Sequence, residues 1–446
     1  MNVTRSSRGA RARAGLEHLR VAVVGAGAAG LTAAHTLKKL GYRNVTVFEQ
    51  GDSAGGKTLA FEHGGRSYAL GAIWILRDYE VVNQLAVELG TSLQASRMKK
   101  MQVEADGRSL PLRDVAKVKY GAGALARSLL NYAKVRVRYA ALFRPGYSGA
   151  APALRVSFSE FAEAHGFAPL ADLLRSFTAA CGYGYYEEIP AQYILKVFNR
   201  FVTGVLRDAA REAVSPRISP GFLFPTEGMQ RLWIKLASTL DVRLRSEVTR
   251  LARTAQGVEL TVNGEVQTFD RVIVTTLLDQ AATFMEFPAD VARMIKELRT
   301  YRFVVSLLEI EGLERQNLLL LYENSWRRNM GRVLSIGSGY ADANTFLTFQ
   351  ISDGSLRQEE LDRLLEEDIA RHGGEILRVI TKKAWAYFPH FPRALLDKGV
   401  YERLEALQGK DGIYLAGSTM NFETLEDAAR YARDLVIEHF SDQRAR

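Results

Sequence analysis

The sequence predicts an α/β fold in which a Rossmann-type nucleotide-binding domain is interleaved with a mixed α+β domain. Three observations carry that expectation. An apolar, β-branched run leads into Gly25-Ala26-Gly27-Ala28-Ala29-Gly30, which opens an apolar-periodic helix. A second apolar run follows and ends in Glu49, about 20 residues beyond the glycines. Helix and strand patterns of the same kind return near residue 230 and near residue 413, so the first domain is assembled from separated pieces of chain.

Val21–Val24 suits a strand buried on both faces. The pattern from Ala28 to Leu40 predicts a helix, closed by Gly41, a residue able to take positive φ. Val45–Phe48 is expected as the next strand. In this arrangement Gly25 permits the tight turn, Gly27 lets the backbone approach a pyrophosphate, and Gly30 lets the helix pack on the strand. Ala28 and Ala29 bring the unpaired amides of the helix N-terminus, where the dipole favours a diphosphate. Glu49 is placed to accept from ribose hydroxyls.

A chain of 446 residues, 47% of them hydrophobic, can bury a large core and form two domains. No apolar run is long enough to span a bilayer. The single cysteine, Cys181, excludes an internal disulfide framework and fits a cytoplasmic protein. Residues 1–17 are expected as a disordered basic tail, because the first 20 residues hold five arginines and no apolar stretch of a signal peptide. The net charge of +9 is local: residues 107–159 carry ten Lys or Arg against Asp114 alone, the first 20 residues carry +4, and the remainder sums to −4. Within the basic segment, "LLNYAKVRVRYAALF" alternates basic with apolar residues. A solvated helix face and transient contact with an anionic membrane both fit this pattern; a phosphate-tracking groove fits less well, so no nucleic-acid partner is expected. No metal-ligand cluster occurs, and no P-loop or Ser-His-Asp order points to a hydrolase.

Beyond Glu49 the reading narrows from nucleotide to flavin. A Gly55-Gly56-Lys57 turn is followed by a hairpin at Gly64-Gly65 and then by Gly71-Ala72-Ile73-Trp74. A nicotinamide domain proceeds here to another helix and strand, whereas a glycine-rich excursion beside the cofactor suits a flat flavin. Gly56 and Lys57 are assigned to the pyrophosphate, and the backbone of Gly71, Ala72 and Ile73 to the ring. With these pieces the chain resembles the flavin-containing amine oxidase superfamily, which also includes phytoene-desaturase-like enzymes. The resemblance implies FAD, held by the first turn, the acid on the second strand and the Gly-Gly-Lys turn.

Two later stretches extend it. "GMQRLWIKLASTLDVRLRSEVTRL" is similar to the superfamily's return to the FAD domain: a helix over Gln230–Leu240, then a strand through Val248, whose backbone would pair with adenine. "DGIYLAGSTMNFETLEDAARYARDLV" is similar to the closing motif, with a strand at Ile413–Leu415 and Gly417 beside the ribityl chain. The following helix begins near Thr424 and Leu425 and would aim its N-terminus at the flavin's pyrimidine edge. Ser418 stands where the superfamily commonly has an acid, which implies rearranged ribityl or pyrophosphate contacts. No cysteine lies near this motif, so the FAD is expected to be non-covalent.

Within the superfamily the chain is similar to the branch of the propionibacterial polyunsaturated fatty acid isomerase. The likeness rests on "TAACGYGYYEEIPAQYILK" (178–196), "AWAYFPHF" (384–391) and the last helix. It implies a carboxylate clamp whose nearest position is Lys100, a lysine without the bidentate geometry of arginine. Amine oxidases often carry a lysine on the strand that here reads Val304-Val305-Ser306, and an aromatic pair where this chain has Asn421-Phe422. An ordinary primary-amine oxidase is therefore disfavoured.

Candidates for chemistry come from segments expected to line the ring. Glu62 could act as general base, against the alternative of an exposed hairpin acid. Tyr183 and Tyr185 could line the pocket or pack in the core. Arg327 and Arg328 could anchor an anionic or carbonyl group, or form a solvated pair. Trp385 and Tyr387 alternate on an expected strand and could wall the site, and His390 reads as a hydrogen-bonded structural histidine.

These features give an FAD-binding domain from residues 18–95, 216–285 and 395–446, with a substrate cap from 96–215 and 286–394. The expected function is hydride abstraction from a small apolar substrate, a specialised metabolite with an amine, amide or unsaturated carbon, oxygen then accepting the electrons. The alternatives are a redox-neutral double-bond isomerase acting on a fatty acid or similar lipid, and a flavoprotein without turnover. Self-association as a homodimer stays open.

Overall fold

The computed structural model describes residues 16–96, 98–214, 222–315, 317–338, 340 and 342–441. Five parallel strands make its nucleotide-binding sheet: β1 (Arg20–Val24), β2 (Asn44–Phe48), β3 (Asp241–Arg243), β4 (Arg271–Val274) and β5 (Ile413–Leu415). Their spatial order is β3-β2-β1-β4-β5, so the order reverses between β1 and β4. Crevices at such switch points, beyond the carboxyl ends of the strands, are where doubly wound folds bind nucleotides. Val21, Ala22 and Val23 are fully buried, as their apolar run requires.

The helices that matter most below are α1 (Ala28–Leu40), α2 (Leu112–Lys119), α3 (Gly121–Arg138), α4 (Ala191–Val214) and α5 (Leu425–Phe440). Helix α1 starts and stops where the sequence places it. Gly41 closes it at φ 102°, its N–H returning to the carbonyls of Leu37 and Lys38. Helix α5 packs along α1 and so returns the C-terminus to the first domain. The helix expected over Gln230–Leu240 spans Met229–Ala237 instead. It stops early because the hydroxyls of Ser238 and Thr239 donate to the carbonyls of Lys235 and Leu236. Val248 opens an antiparallel meander (Val248–Thr254, Gly257–Val262, Glu265–Phe269) inserted between β3 and β4.

A seven-stranded sheet faces this domain. Its order is Glu375–His390, Arg299–Glu311, Thr345–Ser352, Val333–Gly337, Asn317–Leu321, Lys99–Val103 and Ser109–Pro111. Lys99–Val103 pairs parallel to Asn317–Leu321, so stretches more than 200 residues apart share one sheet. Helix α2 packs on its Lys99–Val103 and Ser109–Pro111 edge. The tail expected at 1–17 lies outside the described residues up to residue 15, while Leu16–His18 form a single 3-10 turn. Among the described residues no helix is long and apolar enough to cross a membrane.

Candidate functional site

At the switch point the chain builds a cradle for a diphosphate. Gly25 takes φ 103°, a conformation costly for any side chain, and so turns the chain from β1 into α1. A Cβ on Gly30 would lie 1.9 Å from the Gly25 carbonyl oxygen, so the helix can sit this close only with glycine there. Gly27 differs: a Cβ would meet nothing within 4 Å, because the residue faces open space at the helix N-terminus. No side chain caps α1 and no acid stands in its first turn, which leaves the amides near Ala28 and Ala29 available to an anion. Both oxygens of Glu49 are engaged by backbone, accepting from Ala26 N–H and Gly51 N–H at 2.8 Å each. The acid thus fixes the loop's shape whatever else its remaining lone pairs accept.

The Gly-Gly-Lys turn closes over this loop. Gly55 N–H donates to the Ala26 carbonyl at 2.9 Å, and a Cβ on Gly56 would lie 3.2 Å from Gly27 Cα. Gly71 in turn lies against the Lys57 carbonyl, 2.0 Å from where its Cβ would be, and Ala72 N–H donates to that carbonyl at 2.8 Å. The need for glycine at position 71 is therefore met within the protein. Gly417 packs in the same way on the Thr275 carbonyl, and Ser418 is half-buried beside it. The hydroxyls of Thr276 and Thr419, on the loops after β4 and β5, are buried and unpartnered. Open amides, a cradle at Gly27 that a Cβ would fill and orphaned hydroxyls together fit the phosphates and polyol chain of FAD.

Beyond the cradle lies a cavity walled mainly by aromatic and other apolar side chains. Gly71, Ala72, Ile73 and Trp74 form one wall, with Thr424 and Leu425 at the start of α5. Tyr183, Tyr387, Phe303 and Phe349 line it as well. Tyr183 and Tyr387 lie nearly parallel, 6.1 Å between centroids, and burial pushes both phenols well up. They are neutral aromatic walls at ordinary pH. Burial pushes the Cys181 thiol, which also lines the cavity, up to about 12, which makes it inert.

The carboxylate on this wall is Glu423. Lys57 Nζ donates to its Oε1 at 2.7 Å, and Phe388 N–H to its Oε2 at 3.1 Å. The pair ties the Gly-Gly-Lys turn to the turn before α5, with only 4% of the Glu423 side chain exposed. Phe388 reaches the carboxylate from a backbone at φ 54°, rare for a side-chain-bearing residue and typical of strained functional segments. Sequence reasoning did not single out Glu423, although an acid in that otherwise apolar turn was the available signal.

The remaining candidates are dispersed. Lys100 lies in an adjoining cavity that shares Leu76, Phe177, Phe201 and Phe222 with the first and adds Arg77 and Arg207. Its ammonium sits 3.4 Å above the Phe222 ring. Trp385 stands behind Gly71, its Nε1 donating to the Leu70 carbonyl at 2.5 Å. Tyr185 is fully buried against Tyr301, away from the cavity lining. Glu62 is exposed on the hairpin Ala60–His63/Arg66–Ala69. Arg327 pairs with Glu188 at 2.8 Å and Asp353 at 2.9 Å, and Arg328 with Glu323 at 3.0 Å. None of Glu62, Arg327 and Arg328 lines the cavity. Val248 sits at the start of the meander, with 8% of its surface exposed. His390 is buried with Nδ1 on the Phe388 carbonyl at 2.8 Å.

Behind the closing motif is a buried polar cluster that the sequence did not reveal. Lys196 donates to the carbonyls of Arg144 and Gly146 and to Asn421 Oδ1, the last at 2.6 Å. Arg200 donates to Asp427 at 2.7 Å, and Thr424 caps α5 by accepting from Asp427 N–H. Glu426 accepts from the N–H groups of Glu80, Val81 and Val82, capping the helix Glu80–Glu88. The first-turn acids of α5 are thus held by neighbouring elements, and its N-terminus stays turned to the cavity.

Residues 28–433 match the family described as flavin containing amine oxidoreductase. Among solved structures, the chain is similar to a CLA-producing fatty acid isomerase from P. acnes, with TM-score 0.86, 22% identity, and coverage of 95% of this chain and 99% of that one. Putrescine oxidase bound to putrescine is similar with TM-score 0.66 and 18% identity, over 95% of this chain and 99% of that one. A 1-hydroxycarotenoid 3,4-desaturase from Flavobacterium sp. (strain P99-3) is 55% identical over 49 residues, which span 11% of this chain and 10% of the desaturase.

Proposed function

The chain belongs to the flavin containing amine oxidoreductase family and is an FAD-dependent oxidoreductase; on that premise, we propose that it acts on an apolar substrate bound in the aromatic cavity between Trp74 and Tyr387. FAD, when bound, supplies a two-electron acceptor for a hydride from a C–H bond next to nitrogen or to a double bond. The observation that carries the reading is the cavity itself, which Gly71–Trp74, the start of α5, Tyr183 and Tyr387 line together. Its walls orient the substrate and exclude water, which accounts for much of what such a site must do. Glu423 is the carboxylate in reach of a bound molecule, held by Lys57 and Phe388 N–H. The positions of Glu62 and Arg327 support no contact with the reacting atoms. Tyr185, Arg328 and Trp385 would serve as support around the site.

A second reading is a redox-neutral double-bond isomerase acting on an unsaturated fatty acid or similar lipid. It is favoured by the adjoining cavity, whose lining combines Phe177, Phe201 and Phe222 with Arg77, Lys100, Arg200 and Arg207 against the single acid Asp78. That lining, apolar with a net positive charge, suits a long apolar molecule with an anionic head. Anaerobic incubation with candidate substrates, followed by air, separates the two. An oxidase should convert about one substrate per enzyme without air, then resume and release peroxide when air is admitted. Many turnovers without air, with the double bond moved and no net oxidation, would replace the first reading with the second. Absence of conversion of any apolar amine, amide or unsaturated lipid would remove both.

A further inference from the structure

The outer face of α3, together with the end of α2, is a surface that neither the cofactor cradle nor the two cavities use. Helix α3 has 18 residues and contains no acid. Its inner face is tightly held: Tyr132 packs edge-on against Phe167 and Phe198, and both Tyr132 Oη and Arg136 Nε donate to Asn199 of α4. The outer face combines two rows. Ala126, Leu130, Ala133 and Val137 form an exposed apolar stripe, with Leu130 66% and Val137 78% exposed. Arg127, Lys134 and Arg138 run beside it, at intervals that keep them on one helical flank. Among the described residues no carboxylate pairs with any of these three cations. Val118 of α2, 68% exposed, adds to the apolar row.

We propose that this face docks on an anionic lipid bilayer, with Leu130, Val137 and Val118 entering the headgroup region and Arg127, Lys134 and Arg138 on the lipid phosphates. An apolar row beside a cationic row on one presented helix is what an interfacial helix requires. A nucleic acid would leave the leucine and valines without a partner. A second copy docked through the same face would set its acid-free basic rows against each other. The position of the face also serves the cavity. Leu112 at the start of α2, and Phe201, Gly204 and Arg207 of α4, line the adjoining cavity, and α3 packs against both helices. A lipid leaving the bilayer would therefore meet the helices that line that cavity. This last step rests on the proposed function, whereas docking itself is read without any activity.

The test is co-sedimentation of the full FAD-loaded chain with vesicles of phosphatidylcholine alone or mixed equally with phosphatidylglycerol. The mixed vesicles should bind the protein at low salt, and binding should weaken more than about tenfold at roughly 0.5 M salt. Arg127→Glu, Lys134→Glu and Arg138→Glu together should weaken it by on the order of 10²-fold or more, and Leu130→Glu with Val137→Glu by on the order of tenfold. Unchanged FAD content and melting temperature would show that these variants still fold. Deleting residues 1–15, which hold four arginines, should leave most of the binding in place. No binding at low salt, binding that survives both α3 variants, or binding abolished by deleting the tail alone would overturn the proposal. So would a self-associated chain that the α3 variants convert to monomer, since the face would then meet a second copy.

Discussion

Glu423 and Glu62 illustrate how burial, rather than residue type, selects a group for chemistry. Both are carboxylates near the glycine-rich excursion, but Glu62 points to solvent and Glu423 lies on the cavity wall with Lys57. Glu423→Gln should lower the turnover rate by on the order of 10²-fold with FAD still bound, and Glu62→Gln should change it by less than about threefold. The reverse pattern in steady-state kinetics would return the base role to Glu62. His390 offers a second test at this scale. Burial holds its pKa at about 4, below the ordinary 6.5, even though its Nδ1 meets the Phe388 carbonyl. Between those values the unfolded chain binds a proton that the folded chain does not. Stability therefore rises with pH across this window and falls on acidification, by at most about 1.4 kcal/mol per pH unit. His390→Asn retains a donor near Nδ1 and should flatten the melting temperature's dependence on pH between about 4 and 6.5. An unchanged slope would assign the acid sensitivity to other groups.

Among the elements, α1 and α5 are aimed rather than merely packed. The N-terminus of α1 is open because Gly27 has no side chain and no acid competes in the first turn. The Cβ of Gly27→Leu meets no protein atom within 4 Å, so the chain should stay soluble with nearly unchanged secondary structure. It should nevertheless lose most of its FAD, read as the flavin-to-protein absorbance ratio. Full FAD content in that variant would mean the diphosphate lies elsewhere. Helix α5 is aimed by its neighbours: Arg200 holds Asp427, and the amides of Glu80, Val81 and Val82 hold Glu426. Burial raises the Glu426 carboxyl, a cost offset by the three backbone donors.

For the whole molecule, the site exists only where three distant stretches meet. Lys57 comes from the first stretch, Tyr183 from the helical cap, and Tyr387 with Glu423 from the last 60 residues. FAD held this way needs the folded chain. Acid precipitation should therefore release free FAD into the supernatant and leave a colourless pellet. Colour remaining with the pellet would show a covalent link, for which the inert Cys181 offers no support.

By itself the sequence determined the parts whose physics is local. The limits of α1, the hairpin at Gly64-Gly65, the β1 turn and the return of strand and helix at Ile413 follow from glycine conformations and hydrophobic period over a few residues. The FAD expectation was legible for the same reason, since a diphosphate is bound by one turn and one helix end. Tertiary structure alone decided which side chains meet at the cavity. The pairing of Lys57 with Glu423 joins residues 366 apart, and that of Lys196 with Asn421 joins residues 225 apart. No spacing rule connects such positions. Whether Tyr183 faces a cavity while Tyr185 is sealed against Tyr301 depends on how the segment is rotated against the cap sheet. The exposure of Glu62 and Arg328 and the capture of Arg327 by Glu188 and Asp353 were likewise set by packing, because a charged residue's neighbours, not its identity, fix whether water or substrate reaches it.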